Sequence, residues 1–406
     1  MTDTTAAEAK PYPPASKGWI LVIALTVAYV FSYADRKIIE LLIEPIKADL
    51  NLTDEHIGWI LGPAFSLVYA TSGLFIGWLV DRVRRTWLVG IGVAFWSIAT
   101  AFSGVAQNFW QMFMARLSVG AGEATLSPAA LSMNGDSFPP EERGKPIAFY
   151  TMALVVGASV AGFLGGGILI WAKSTQGIEV PLLGLLAPWQ MAFFMIGLPG
   201  LLVAIWFFFI NEPERRLTTV EDDSLQGNSV GDALGYVAKH WGTYLGFVSI
   251  VCVMTIIAYS QGFLASPIKR VWGWETEYNA IVNAPAHLNI GPAGWTAYAV
   301  LCVNTVGIGM ISGVGVTALL LITPAQIRGQ ILALYYMAIS MAGLWLGYPT
   351  VGTLSLRVFG EDNLNLAVAA VPIMYGTIPI LLLPVIYKLY LSLMIRMYGD
   401  YQTEIA

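Results

Sequence analysis

Charge is what this sequence has least of. Asp, Glu, Lys and Arg make up 12% of its 406 residues, about half the roughly 25% share of a soluble globular domain. With 56% of residues hydrophobic, an ordinary soluble domain is a poor explanation. Cysteine is scarce too. Cys252 and Cys302 are the only two, and both fall in apolar runs, so buried thiols are expected rather than a disulfide framework. The three histidines, His56, His240 and His287, lie in or beside loops without ligand spacing to one another. No Gly-Lys-Ser/Thr phosphate cradle occurs, so any work the chain does must draw on a gradient rather than on ATP. No enzyme activity, metal, cofactor or nucleic-acid partner is expected.

What the chain has instead is long apolar runs. Ten read as membrane spans: Trp19–Leu41, Ile57–Val80, Trp87–Val105, Phe109–Met133, Ile147–Trp171, Trp189–Ile210, Tyr244–Leu264, Trp295–Ile322, Ile331–Leu354 and Leu366–Met394. Each reaches or approaches the ~20 residues of a helical crossing. None alternates in period two, which excludes a membrane β-barrel. Met1–Ser16 is polar and does not read as a signal peptide. With both termini on the cytoplasmic side, the inner segments carry thirteen Lys and Arg against five in the outer ones, the bias expected of a multi-pass cell-membrane protein. Trp19, Trp87, Trp110, Trp189 and Trp295 stand at span ends, where an amphipathic ring prefers the interface.

Against this background the charges inside spans stand out. Arg116 and Glu123 lie in the fourth span, at a cost of roughly 2.5–3.5 kcal/mol each on insertion scales. Seven residues bring them back to one helix face but about 10 Å apart along it, too far to pair with each other. Each therefore needs a partner or ligand from elsewhere. The first span offers Asp35, Arg36, Lys37 and Glu40. Asp35 sits at a height comparable with Arg116, so an Asp35–Arg116 contact is geometrically possible. The other reading of this cluster is a helix end whose long side chains reach for headgroups.

Between the second and third spans comes Gly77-Trp-Leu-Val-Asp81-Arg82-Val-Arg84-Arg85. It resembles the inner-loop signature of the major facilitator superfamily. Arg116-x-x-x-Gly120-x-Gly122 is similar to that superfamily's fourth-span pattern. Gly122-Glu123-Ala124 with Ser127-Pro128, and the Asp35-Arg36 pair, resemble its spinster-like branch. The resemblance implies an all-α polytopic fold of two pseudo-symmetric helical halves. It also implies proton-linked movement of lysophospholipids or sphingosine phosphate.

The second half echoes the first. Val119-Gly-Ala-Gly122 followed by Glu142-Arg-Gly144 returns as Val306-Gly-Ile-Gly309 followed by Ile327-Arg-Gly329, as related six-helix halves would leave it. The echo is 37 positions shorter, 86 from Trp241 to Ile327 against 123 from Trp19 to Glu142. The eighth and ninth helices of the superfamily are expected to be missing, with polar Lys269–Gly294 in their place. The expected organisation is a tail (1–18), a six-helix half (19–210), a solvated linker (211–240), a half with four visible spans (241–396) and a second tail (397–406).

The expected function is secondary active transport by alternating access. The first-choice substrate is an amphipathic anion such as a lysophospholipid or sphingosine phosphate. Its head would meet Arg36 or Arg116, and its tail would lie against a second half rich in aromatic residues, including Tyr335, Tyr336, Trp345 and Tyr348. A small organic anion, such as a sugar acid or aromatic acid, is the alternative; a non-transporting receptor or defective remnant is the next. Asp35 and Glu123 are the expected proton carriers. Arg36, Arg116, Tyr259, Gln261 and Tyr335 are the expected substrate ligands, and Gly77, Asp81, Arg82 and Arg85 the conformational motif. The partners are the membrane, protons and a lipid or organic-anion substrate.

Overall fold

The computed structural model describes residues 12–80, 82–139, 141–175, 177–181, 184–215, 230–264, 266, 267, 270, 319, 322, 323 and 328–402. The first half runs α1 (Ala15–Leu41), α2 (Ile43–Leu50), α3 (Asp54–Leu61), α4 (Pro63–Val80), α5 (Arg85–Ser103), α6 (Phe109–Glu123), α7 (Leu126–Ser137), α8 (Gly144–Thr151) and α9 (Ala153–Ser174). A two-stranded antiparallel hairpin, β1 (Ile178–Val180) and β2 (Gly184–Leu186), leads to α10 (Pro188–Phe209). Then follow α11 (Val230–Lys239), α12 (Trp241–Ser260), α13 (Arg328–Ala342), α14 (Tyr348–Leu354) and α15 (Leu364–Gln402).

Among the described residues six helices are long and apolar enough to cross a membrane. They begin at Ala15, Arg85, Gly144, Pro188, Trp241 and Glu361. Three further expected spans are helical but interrupted. Ile57–Val80 breaks at Gly62, because Pro63 has no N–H to continue the ladder. Phe109–Met133 breaks after Glu123, which leaves that carboxylate at the end of α6. Ile331–Leu354 is interrupted by a π-helical turn at Gly343–Gly347, a wide turn often found at functional sites. The expected Trp295–Ile322 span and the stretch proposed to replace a helix pair lie almost wholly outside the described residues. The linker, expected to be solvated throughout, contains α11, whose Tyr236 hydroxyl donates to the Ile322 carbonyl at 3.3 Å.

In the first half α5 packs on α10 and α6, α1 on α9, and α4 on α6. In the second, α12 packs on α15 and α13. Trp96, Phe193 and Phe207 are buried between helices, whereas Phe209 and Leu381 are 80% and 76% exposed. Outward-facing rings and leucines are what a bilayer leaves on a surface, since lipid tails are as apolar as leucine. The two halves meet most closely where α3 lies against α14.

Candidate functional site

One face of α1 carries Ser32, Asp35 and Arg36, spaced so that they share a stripe. The Nη1 of Arg116 donates to Oδ2 of Asp35 at 2.7 Å. Glu123 Oε2 accepts from Ser32 Oγ at 2.8 Å and Arg36 Nε at 2.7 Å, and also from Arg36 Nη2. Two adjacent residues of α1 thus answer the two charges set two turns apart on α6. On its other side α6 lies close against α4 because residue 120 is glycine: a Cβ there would overlap the carbonyl oxygen of Phe65 on α4. Phe65 in turn lies under the Arg36 guanidinium, its centroid 4.4 Å from Cζ, with Tyr69 at 5.1 Å. A cation over an aromatic face gains about 0.5–2 kcal/mol.

A third pair extends the row. Lys37 Nζ donates to both oxygens of Glu40 at 2.9 Å, and the Tyr348 hydroxyl donates to Glu40 Oε1 at 2.7 Å. Three cations and three carboxylates leave the cluster formally neutral. It borders a cavity of about 250 Å³ between the halves, lined by Tyr33, Phe65, Tyr259 and Tyr348 together with Arg36, Lys37, Glu40 and Arg116. The side chains of Lys37 and Arg36 are 34% and 25% exposed, that of Arg116 only 3%. Lys37 and Arg36 are the cations a solute reaches first. Asp35 Oδ1 and Glu123 Oε1 are buried without a hydrogen-bond partner among the described residues, which is costly unless a function keeps them so.

Each end of the first half carries a polar clamp. At one end Arg85, buried at the start of α5, reaches four groups. Its Nε donates to Glu212 Oε1 at 2.7 Å, Nη1 to Ser132 Oγ at 2.7 Å and Asp136 Oδ2 at 2.5 Å, and Nη2 to the Pro213 carbonyl at 2.9 Å. At the other end Asp54 takes Arg270 on both oxygens at 3.0 Å, Lys47 at 2.6 Å and Ser355 at 2.7 Å. Arg270 also pairs with Glu44 at 2.8 Å, and Glu361 accepts from Lys47 at 2.7 Å and the Asp54 N–H at 2.8 Å. Asp54, Lys47 and Glu44 belong to the first half, and Arg270, Ser355 and Glu361 to the second. Burial alone would raise the Asp54 carboxyl, but hydrogen bonds from Arg270, Lys47 and Ser355 hold it below its ordinary 3.8. Burial likewise disfavours the Arg270 cation, yet Asp54 and Glu44 raise its pKa above the usual arginine value.

Asp35, Arg36, Arg116, Glu123 and Tyr259 therefore converge, while other expected residues lie elsewhere. Gln261 opens a 3-10 turn beyond α12 and is not among the described residues lining the cavity. Tyr335 packs with Tyr244, Val251 and Ile331 in a separate apolar cluster. Gly77 is in α4 and Arg82 sits in the turn after it, whereas Asp81 lies outside the described residues. The sequence reading noted Lys37 and Glu40 only as first-span charges and Tyr348 only among the aromatic residues expected to meet a substrate tail, and it gave no role to Glu212 or the Asp54–Arg270 clamp. The in-span charges at positions 37 and 40 were a legible signal. Nothing in sequence pointed to the pairing of Glu212 with Arg85 or of Arg270 with Asp54, which are 127 and 216 positions apart.

The long apolar helices, with their buried charges set beside a cavity between two helical halves, define a polytopic membrane protein. The sequence profile of the Major Facilitator Superfamily matches residues 25–384, and the chain belongs to that family. It is 29% identical over 257 residues to the probable L-galactonate transporter of Escherichia coli strain K12, covering 60% of this chain and 53% of that protein. It is 26% identical over 258 residues to protein spinster homolog 1 of Xenopus laevis, covering 63% and 44%. The chain spans about half the length of these relatives. A bacterial homologue of the human lysosomal transporter spinster, in an inward-facing and unoccupied conformation, shares its fold with a TM-score of 0.71 at 21% identity, covering 94% of this chain and 93% of that one.

Proposed function

We propose that the chain is a secondary active transporter of a compact organic anion, with Arg36 as the primary ligand. One observation carries this reading. Arg36 faces the cavity, yet its charge is held by buried Glu123. An incoming carboxylate competes for the guanidinium. Glu123 is then left as an uncompensated buried charge, which neutralises by taking a proton, and its free Oε1 is where the proton would sit. Asp35, with a free oxygen beside Arg116, is the second carrier. Arg116, almost fully enclosed, holds Asp35 in place. Rocking of residues 19–210 against 241–396 about the 211–240 linker would alternate access, with both termini cytoplasmic and the Asp54 end outermost.

Size guides the choice of substrate. Pockets for drug-sized ligands hold about 300–1,000 Å³, so 250 Å³ suits a sugar acid better than a whole lipid. The relative described as a galactonate transporter supports the same class. The second reading, an amphipathic anion such as a lysophospholipid or sphingosine phosphate, is favoured by the similarity to spinster proteins and by the four aromatic rings around the cations. It requires space for the tail beyond this cavity.

The test is uptake of labelled galactonate into proteoliposomes holding the full chain, with and without a pH gradient. Gradient-driven uptake lost in Arg36→Ala supports the reading. Glu123→Gln should keep exchange of substrate for substrate while losing the response to the gradient; if pH-driven uptake survives, Glu123 is not the carrier. Transport of a labelled lysophospholipid but not of galactonate would favour the second reading. Transport of neither overturns both.

A further inference from the structure

We infer that Lys37 is a second anion-binding residue, and that the site is built for a compact acid carrying two acidic groups. The inference rests on the compact-anion reading above. Lys37 follows Arg36 directly and opens onto the same cavity, with the larger exposed fraction of the two. Its arrangement repeats that of Arg36. Each cation is held by one carboxylate of its own, Glu123 for Arg36 and Glu40 for Lys37. Each is also flanked by aromatic rings, Phe65 and Tyr69 beside Arg36, and Tyr33 with its centroid 5.9 Å from Lys37 Nζ. A monoacid satisfies one such unit and leaves the other closed. A diacid opens both.

The second unit differs from the first in what its carboxylate also holds. Glu40 belongs to α1, and its other partner, Tyr348, begins α14 in the opposite half. The Tyr348 ring lies 5.5 Å from that of Tyr259, and beside it residue 262 has room for no side chain, since an added Cβ would meet the Tyr348 ring and, at 3.2 Å, the Glu40 carboxyl carbon. Glu40 is thus packed into the contact between the halves. An acidic group that draws Lys37 away from Glu40 acts at a hydrogen bond joining them. Lys37 is then a specificity residue, and Tyr348 a positioning residue that fixes Glu40.

The test compares two acids of one carbon skeleton, galactonate with one carboxylate and galactarate with two, in proteoliposomes of the full chain. The wild-type protein should prefer galactarate. In Lys37→Gln the ratio of galactarate to galactonate kcat/KM should fall by about tenfold or more, since a charge-assisted hydrogen bond is lost for one substrate only. Lys37→Arg, which keeps the charge, should restore most of the ratio. Tyr348→Phe should change the rate of net transport more than the substrate ratio. An unchanged ratio in Lys37→Gln, with both acids still carried, overturns the inference and leaves the compact-anion reading standing. A wild-type protein that carries neither acid removes the compact-anion reading itself. Monodispersity of each variant on gel filtration separates loss of fold from loss of specificity.

Discussion

Arg270 grips Asp54 with two parallel hydrogen bonds of 3.0 Å, and this contact ties the two halves together at one end of the molecule. Asp54 opens α3, and Arg270 follows α12 at a separation of 216 positions. Both-oxygen contact with a guanidinium is the geometry in which an ion pair is most specific. Lys47, Glu44, Ser355 and Glu361 complete the clamp.

Removing the charge of Asp54 should open this end. Asp54→Asn removes the one carboxylate that Arg270 and Lys47 share, leaving each with only its partly exposed partner, Glu44 or Glu361, and breaking a buried pair from one side costs up to about 3–5 kcal/mol. Spin labels at Ala48 and Asp362, exposed on opposite halves, should show a longer and broader distance distribution in the variant. An unchanged distribution would mean that helix packing alone closes this end.

The same clamp should be insensitive to pH over the physiological range. Because the Asp54 carboxyl is held below its ordinary 3.8, its contribution is complete above that value and is lost only as pH falls through the lowered one. The label distance should therefore stay constant from about pH 8 to pH 5 and widen only below about pH 4. Widening near pH 6 would place the responsible group elsewhere.

Gly62 should tolerate no side chain. It stands at the break between α3 and α4, and a Cβ there would overlap the carbonyl oxygen of Leu344 in the π-helical turn. Backbone cannot swing aside as a side chain can, so Gly62→Ala should cost at least the 1–3 kcal/mol typical of overpacking. The melting temperature in detergent should fall, and the two halves should separate in the label experiment. A melting temperature equal to that of the wild type would show that the turn can shift.

Arg85→Lys should be far from conservative. The guanidinium serves Glu212, Ser132, Asp136 and the Pro213 carbonyl from one buried position, and an ammonium group has three donors without the planar fork. The variant should melt lower by an amount corresponding to about 2 kcal/mol or more. Glu212→Gln should be milder, because Asp136 still neutralises the arginine. Equal losses in the two variants would mean that the packing of the chain after α10, and not the charge, is what Arg85 secures.

The sequence determined the class of this protein and the identity of its central charges. Scarcity of charge and repeated apolar runs call for a membrane span whose backbone bonds are satisfied internally, and without period-two alternation that span is a helix rather than a barrel strand. Within such helices Arg116 and Glu123 announced themselves by their cost, and the seven-residue interval showed that they could not satisfy each other. The comparable depth of Asp35 and Arg116 in two spans allowed a contact between them without requiring it. Helical geometry fixes only what lies on one helix. Which cation faces the cavity, the pairing of Arg36 with Glu123 rather than with Asp35, and the joining of Glu40 to Tyr348 depend on how helices cross. The breaks at Gly62 and Glu123 and the glycine contacts between helices set those crossings. Only the tertiary structure decided that Arg270 meets Asp54 and Arg85 meets Glu212, because long-range partners leave no periodic trace along the chain.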